Sequence, residues 1–420
     1  IPEISDELYR IDQAVCAGFA WKMGPFDTWD LLGTKKVVEQ MEGMDMKPAD
    51  WVYEMLDAGN DSFYKIENGI KKYYDIPSKS YKTIPGTEDL VILENIRETH
   101  KVWGNAGASL FDIGDGVLCL EFHTKMNAIG QEIIEGIETA IAMAEKDYKG
   151  LVIGNEGDNF SAGANLAMLF MFAGDQEFDE VNLMVAQFQN TMKRAKFSSI
   201  PVVAAPAGLT LGGGCELSLH CDAIQAHAET YIGLVEVGVG LIPGGGGTKE
   251  LTLRVADSLT AGDPELNRLQ EAFMNIATAK VATSAEEARA MSILRPQDGV
   301  TLNRSRLLTD AKAKVLELHE AGYTQPVERT DIKVHGQVGL ANFHAGINGM
   351  LLGNYISEHD AKIAKKLAWI MCGGDLTAPQ EVSEQYLLDL ERQMFVELTA
   401  EPKTLERIHS ILFKGKPLRN

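Results

Sequence analysis

Disulfides, membrane spans and a basic surface are all missing from this sequence. Cysteine is scarce: Cys16, Cys119, Cys215, Cys221 and Cys372 are odd in number and widely spaced, with no CxxC pair. That excludes a disulfide framework and suits reduced thiols in a cytoplasmic protein. No apolar run approaches the ~18 to 20 residues that a membrane helix needs. Lys and Arg number 39 against 60 Asp and Glu, a formal net charge of -21. Such a chain repels a phosphate backbone and an anionic leaflet alike, so neither nucleic acid nor membrane is expected as a partner. An anionic ligand would have to meet a local site of amides or cations inside that repulsive field. Nor is there a start signal. The chain opens IPEISDELYR, without methionine, basic n-region or apolar h-region, and reads as a fragment or a processed product.

What the chain does have is an ordinary globular composition, 45% hydrophobic and 24% charged, at a length that suits two or three domains. Residues 1–95 read as helical. Ser5-Asp6 is expected to cap DELYRIDQAVCAGFA, which stops near Gly24-Pro25. KKVVEQME and PADWVYEMLDAG continue the helical pattern, and DIPSKSYKTIPGTED, rich in Pro, Ser, Thr and Gly, reads as a linker. From about residue 105 short apolar strands alternate with helices. SLFDIGDGVLCLEFH predicts a hairpin turning at Gly114-Asp115-Gly116, KGLVIGN and IPVVAAPAG predict buried strands, and GQEIIEGIETAIAMAEK and FDEVNLMVAQFQNTMKRA predict helices. Beyond about residue 250 the strands give way to helical periodicity, with Ser357 and Asp360 expected to cap DAKIAKKLAWIM before Gly373-Gly374. The pattern divides into residues 1–95, 96–300 and 301–420, an α/β centre between all-α flanks.

The segment PVVAAPAGLTLGGGCELSLHCDA runs from an apolar strand through Gly212, Gly213 and Gly214 directly into a helical pattern. Such a junction collects free backbone N–H groups at the positive end of a helix, and glycine lets a ligand approach the backbone closely. Alone, it reads as a tight turn with no ligand. DNFSAGANLAML has the same form, with Gly163 opening a segment whose first amide is that of Ala164. Two amides so placed can form an oxyanion hole, each donor typically worth about 3 to 4 kcal/mol in a transition state. Acid and base groups must then stand beside it. Glu216 comes two residues after Gly214, in a first helical turn that favours a carboxylate. Glu236 lies in the nearly uncharged TYIGLVEVGVGLIPGGGGTKEL, where a carboxylate needs a partner or a raised pKa.

Taken in order, NFSAGANL, LGGGCELSLHCD, the stretch from Tyr231 through IPGGGGTKEL, and TAKVATSAEEARAMSIL resemble the crotonase (enoyl-CoA hydratase/isomerase) superfamily over about residues 105–300. The resemblance implies a ββα spiral core. It assigns the oxyanion amides to Ala164 and Gly213, with Gly163, Gly212 and Gly214 beside the substrate. It makes Glu236 the proton donor to Cα and Glu216 the residue that holds and activates water. The implied reaction is hydration of a trans-2-enoyl-CoA to a 3-hydroxyacyl-CoA in fatty-acid β-oxidation, with an acyl-CoA thioester as partner and a homo-oligomer as the family's common assembly. Lys125, in EFHTKMNAIG, matches the loop near the CoA nucleotide, though a solvated surface lysine explains it equally well. Asn165 departs from the Asp of many members, without consequence for a backbone amide.

The flanks carry resemblances of their own. IDQAVCAGFAWKMGPFDTWDLLG, with Asp30 and Gly33, is similar to the helical C-terminal domain of 3-hydroxyacyl-CoA dehydrogenases, and the tail from SEHDAKIAKKLAWIMCGGD to GKPLRN resembles the end of bifunctional chains with the dehydrogenase first. Any NAD would then belong to a dehydrogenase half outside this sequence. No strand leading into GxGxxG occurs before residue 20, and Gly238, Gly240 and Gly244 have the wrong spacing. No cofactor is expected here, CoA being part of the substrate. No metal is expected either, since Cys215, His220 and Cys221 fall on different helix faces and read as core. GGGGTKE lacks the GK[ST] of a phosphate loop, and no HExxH or Ser-His-Asp spacing stands out. Two rivals to the hydratase remain: an enoyl-CoA isomerase using Glu236, and a non-catalytic module for acyl-CoA binding or assembly.

Overall fold

Short, mostly apolar runs, too short for helices, form the strands that organise the larger part of the chain. The computed structural model describes residues 1, 3–260 and 262–420 and divides the chain into two units, Ile1–Thr99 and His100–Asn420.

In the first unit, α1 (Leu8–Phe19), α2 (Pro25–Leu32), α3 (Thr34–Gly43) and α4 (Asp50–Asp57) precede an antiparallel meander of β1 (Tyr64–Glu67), β2 (Ile70–Asp75) and β3 (Ser80–Thr83), then the single turn α5 (Leu93–Ile96). Helices α1, α3 and α4 lie where periodicity puts them, but α2 and α5 are additional, the meander departs from the helical reading, and β3 occupies the stretch that reads as a linker. Its Pro and Ser residues make the hairpin turn, where Asp75 accepts from the Ser78 amide at 3.1 Å. Tyr74 and Tyr81 pair across the strands with ring centroids 5.7 Å apart, a cross-strand contact that local composition does not reveal. Ser5 does not cap α1. The N-cap is Glu7, and Ser5 closes a local turn with it by accepting from the Glu7 amide at 3.2 Å. Two carboxylates tie the unit together: Asp12 accepts from the Phe26 and Asp27 amides at 3.0 Å, and Asp30 accepts from the Phe63 and Tyr64 amides at 2.8 Å.

The second unit is built on β4 (Lys101–Gly104), β5 (Ala108–Asp112), β6 (Val117–Phe122), β7 (Gly150–Gly154), β8 (Val202–Ala205), β10 (Ala223–His227) and β12 (Gly299–Thr301), which form one seven-stranded sheet in the order β12-β10-β8-β7-β6-β5-β4. The pairs β4–β5 and β5–β6 are antiparallel and the rest parallel. Parallel strands covered on both faces read as unbroken apolar runs, as LVIG and VVAA do. Helix α6 (Gln131–Asp147) buries Ile133, Ile137, Ala140, Ile141 and Ala144 at helical spacing. β9 (Gly208–Leu211) and β11 (Thr230–Gly233) form a separate parallel pair.

Helices α7 (Leu166–Gly174), α8 (Phe178–Lys196), α9 (Gly213–His220), α10 (Gly247–Ser258), α11 (Glu265–Ala277) and α12 (Ala285–Ala290) fill the connections. Helix α13 (Leu307–Glu320) lies against β7: a Cβ at Gly150 would come within 2.5 Å of Val315, and one at Gly154 within 2.7 Å of Leu308. The C-terminal helices α14 (Gly336–Leu352), α15 (Glu358–Met371), α16 (Glu384–Thr399) and α17 (Pro402–His409) share the apolar core with residues 232–294. Residues 301–420 thus belong to the same unit as the strands. Strands also persist beyond residue 250, as β12 and the pair β13 (Ile332–Val334) and β14 (Gln380–Val382), each only three residues long and so invisible to a periodicity argument. Ser357 and Asp360 do form a reciprocal capping box at the start of α15. Among the described residues no helix is long and apolar enough to cross a membrane.

Candidate active site

A layer of short parallel segments carries the chemistry. β9 and β11 are extended by isolated bridges, Ser161 to Thr210 and Ile129 to Ala164, so several chain reversals end at one place. In the β9–β11 register Leu211 faces Gly233, and the Gly212 amide donates to the Gly233 carbonyl at 2.9 Å. Gly212 and Gly213, at the end of β9, therefore lie beside Leu234, Val235 and Glu236 at the end of β11. The glycines are needed for space: Gly212 has φ +51°, and a Cβ there would stand 3.0 Å from Glu236 Oε1. Gly163, at φ +106°, would bring a Cβ within 3.0 Å of the Leu211 carbonyl and 3.5 Å of the Gly213 nitrogen. A Cβ at Gly213 would lie 3.3 Å from the Ala164 nitrogen. The two amides proposed for an oxyanion hole are thus neighbours, and among the described residues neither has a protein acceptor.

These groups open on a cavity of about 410 Å³ with an apolar wall that includes Leu166, Leu169, Val185, Phe188, Val239 and Phe395. Gly163, Ala164, Gly212, Gly213, Glu216 and Glu236 all line it, while Gly214 and Lys125 do not. Gly214 is packed instead against Ser161, whose Cβ is 2.7 Å from the position a Cβ would take. Lys125 is exposed, in a 3-10 turn over Lys125–Asn127.

Both glutamates are held away from water. Glu216, buried in the first turn of α9, accepts through Oε1 from the Gly245 amide at 2.7 Å and the Gly247 amide at 2.9 Å. Burial pushes its pKa up to about 7, with the two amides pulling the other way. Glu236 is only half-buried as a residue, yet its Oε2 is shielded from solvent and has no hydrogen-bond partner. Its pKa is raised well above the usual carboxylate range, first by burial and then by the negative charge of Glu216. A carboxyl whose proton affinity is raised by a neighbouring carboxylate can stay protonated beside its ionised neighbour at neutral pH, the state that a paired acid and base require.

Sequence reasoning missed the groups that hold this pair. Glu391 of α16 is fully buried and accepts from the Gly246 amide at 2.5 Å, the Thr248 amide at 3.0 Å and the Lys249 amide at 3.2 Å. Arg407 of α17, also fully buried, donates to the Val237 carbonyl at 3.2 Å and to Asp360 at 2.8 Å, gripping the turn that carries Glu236. Thr404 donates to the Gly240 carbonyl at the end of that turn at 2.8 Å. A signal for Glu391 existed: it replaces an apolar residue in the helical stripe Leu387, Glu391, Met394, Leu398. Cys215, His220 and Cys221 are all buried, and the His220 ring lies between the Glu216 carbonyl (2.7 Å) and Lys249 Nζ (3.1 Å), kept neutral by burial.

Comparison with known proteins bears on this geometry. Residues 112–262 match the enoyl-CoA hydratase/isomerase family. That stretch contains both glutamates and both amides, and its strand-rich core is a crotonase-type α/β fold flanked by largely helical regions. Over all of its length the chain is 47% identical to a probable 3-hydroxyacyl-CoA dehydrogenase of Bacillus subtilis, covering 52% of that protein. It is 29% identical over 175 residues to a probable enoyl-CoA hydratase of the same organism, covering 67% of it, and 39% identical over 131 residues to a peroxisomal bifunctional enzyme of Cavia porcellus, covering 17% of it. The chain spans about half the length of the curated relatives it matches over its whole extent. The hydratase/isomerase segment ends before α11, so Glu391 and Arg407 lie outside it.

Proposed function

We propose that the His100–Asn420 unit adds water to a trans-2-enoyl-CoA, giving a 3-hydroxyacyl-CoA. The observation that carries this reading is that two shielded carboxylates and two unpaired amides line one apolar cavity. The thioester oxygen takes hydrogen bonds from the Ala164 and Gly213 amides, which strengthen as negative charge grows on it in the enolate. Glu216 takes a proton from water as the oxygen bonds to C3. Glu236, with its higher proton affinity, delivers a proton to C2, and one water is thereby added without net charge change. The apolar wall suits the acyl chain, and CoA enters as part of the substrate, so water and proton transfer need no separate cofactor in this unit. The names of the relatives support fatty-acid oxidation as the setting, and a dehydrogenase activity using NAD would reside in sequence beyond this chain. Lys125 is proposed as a CoA contact outside the cavity.

The test assays 2-enoyl-CoA and 3-enoyl-CoA side by side on the parent, Glu216→Gln and Glu236→Gln. Hydration lost in both variants with the fold retained is the expected result. Unchanged hydration in both would sink the proposal, and double-bond migration that survives Glu216→Gln while hydration is absent throughout would replace it with an isomerase.

A further inference from the structure

The loop Gly244–Gly247 has no side chains with which to hold its own shape, and no room for any. A Cβ would come within 2.7 Å of Phe395 at Gly244, 2.3 Å of Phe188 at Gly245, and 2.8 Å of His220 at Gly246. Four consecutive glycines also carry the largest backbone entropy to be overcome. An alternation of acceptors fixes them. Glu216 takes the amides of Gly245 and Gly247, while Glu391, from a helix about 145 residues further on, takes those of Gly246, Thr248 and Lys249. Gln189 donates to the Gly244 carbonyl at 3.0 Å. The same loop forms a wall of the cavity through Gly244 and Gly245.

We propose that Glu391 is a positioning residue for Glu216: it fixes the glycine loop whose alternate amides aim the Glu216 carboxylate at the cavity. This rests on the hydration reading of the site. Glu391 does not itself line the cavity. It acts at the start of α10, where a carboxylate is favoured by the helix dipole and by the amides that lack intrahelical partners. Ionisable groups around it are Glu216 and His220 of α9, Glu236, Lys249 and Glu250 of α10, and Glu384 of its own helix. Lys249 is already bound to Glu250 and Glu384, and His220 is kept neutral, while the pKa of Glu391 itself is pushed up to about 8 by burial and then by the negative charge of Glu216.

The full chain and its Glu391→Gln and Glu391→Asp variants are compared by kcat and KM for 2-enoyl-CoA across pH 6 to 9 and by hydrogen exchange of the peptide spanning 244–249, with β7 as internal reference. In Glu391→Gln one acceptor oxygen becomes a donor facing amides. The expected result is kcat down about tenfold or more with KM changed less than about threefold. Loop amides should exchange about tenfold faster or more while β7 is unchanged. Glu391→Asp keeps the carboxyl group while its shorter reach loosens the loop. Parent-like kcat and parent-like loop protection in Glu391→Gln would overturn the proposal, as would exchange rising equally in the loop and β7. Should Glu391→Gln not fold, the Asp variant decides on the same terms: a tightly protected loop overturns the role. A parent that does not turn over 2-enoyl-CoA counts against the reaction alone, since loop exchange still reports on Glu391.

Discussion

Glu216→Gln should make the His100–Asn420 unit more stable, and increasingly so as pH rises. The carboxyl is buried and its pKa is raised from 4.5 to about 7. An acid with a raised folded pKa gives its full stability below the unfolded value and loses it as pH rises toward the folded value, because the unfolded chain then releases a proton that the native state still holds. Parent stability therefore declines from about pH 4.5 to about pH 7 and levels off above. Glutamine does not titrate, and its Oε1 can still accept from Gly245 and Gly247. Linkage across that shift gives a difference between variant and parent that grows by roughly 2 to 3 kcal/mol between pH 5 and pH 8. The assay is urea unfolding at pH 5, 6, 7 and 8, read through hydrogen exchange of β7 and β8 so that only this unit is reported. Stability curves that stay parallel across this range would refute the claim that burial of an ionisable Glu216 destabilises the fold, and a gap narrowing with pH would reverse its sign. Such a stabilised, inactive variant would place the cost of the site in the fold itself.

Three other substitutions probe separate parts of the structure. Gly213→Ala adds a methyl 2.9 Å from Phe188 and 3.3 Å from the Ala164 nitrogen, so turnover should fall about 100-fold or more with the global fold kept; near-parent kcat would remove Gly213 from the oxyanion hole. Arg407→Leu strips the Val237 carbonyl and Asp360 of a buried partner and should cost roughly 3 kcal/mol in urea unfolding, with the Glu236 turn the first to exchange. Phe395→Ala opens the cavity wall and should shift the preference toward longer acyl chains in a series of 2-enoyl-CoA substrates, at about 3 kcal/mol of stability; an unchanged chain-length profile would show that the acyl group does not reach α16.

Much of the α/β unit is legible because its information is local. The hairpin at Gly114-Asp115-Gly116 arises from three residues that all adopt positive φ, and the buried strands arise from apolar runs that only a doubly covered sheet accommodates. The meander over residues 64–83 escapes the same reading because Ile-Lys-Lys-Tyr-Tyr-Asp in β2 lacks a period-two pattern, and Tyr74 finds its partner, the half-buried ring of Tyr81, on the next strand. The Gly-rich turns likewise announce close backbone approach, but not which glycine meets the ligand: Gly214 is in the same triplet as Gly213 and packs on Ser161 instead.

The sequence by itself determined the residue types and their order: two strand-to-helix glycine turns, a carboxylate after one and another in an uncharged segment, with helical periodicity on both sides. Those are set by backbone sterics, helix polarity and the spacing of apolar side chains, all of which act within a few residues. Only the tertiary structure decided that the two amides are neighbours, that Glu236 keeps an oxygen without a partner, and that Glu391 and Arg407 arrive from the C-terminal helices to hold the loop and the turn. Contacts spanning 145 and 170 residues depend on how the helices pack against the rest of the unit, and no short-range pattern encodes that.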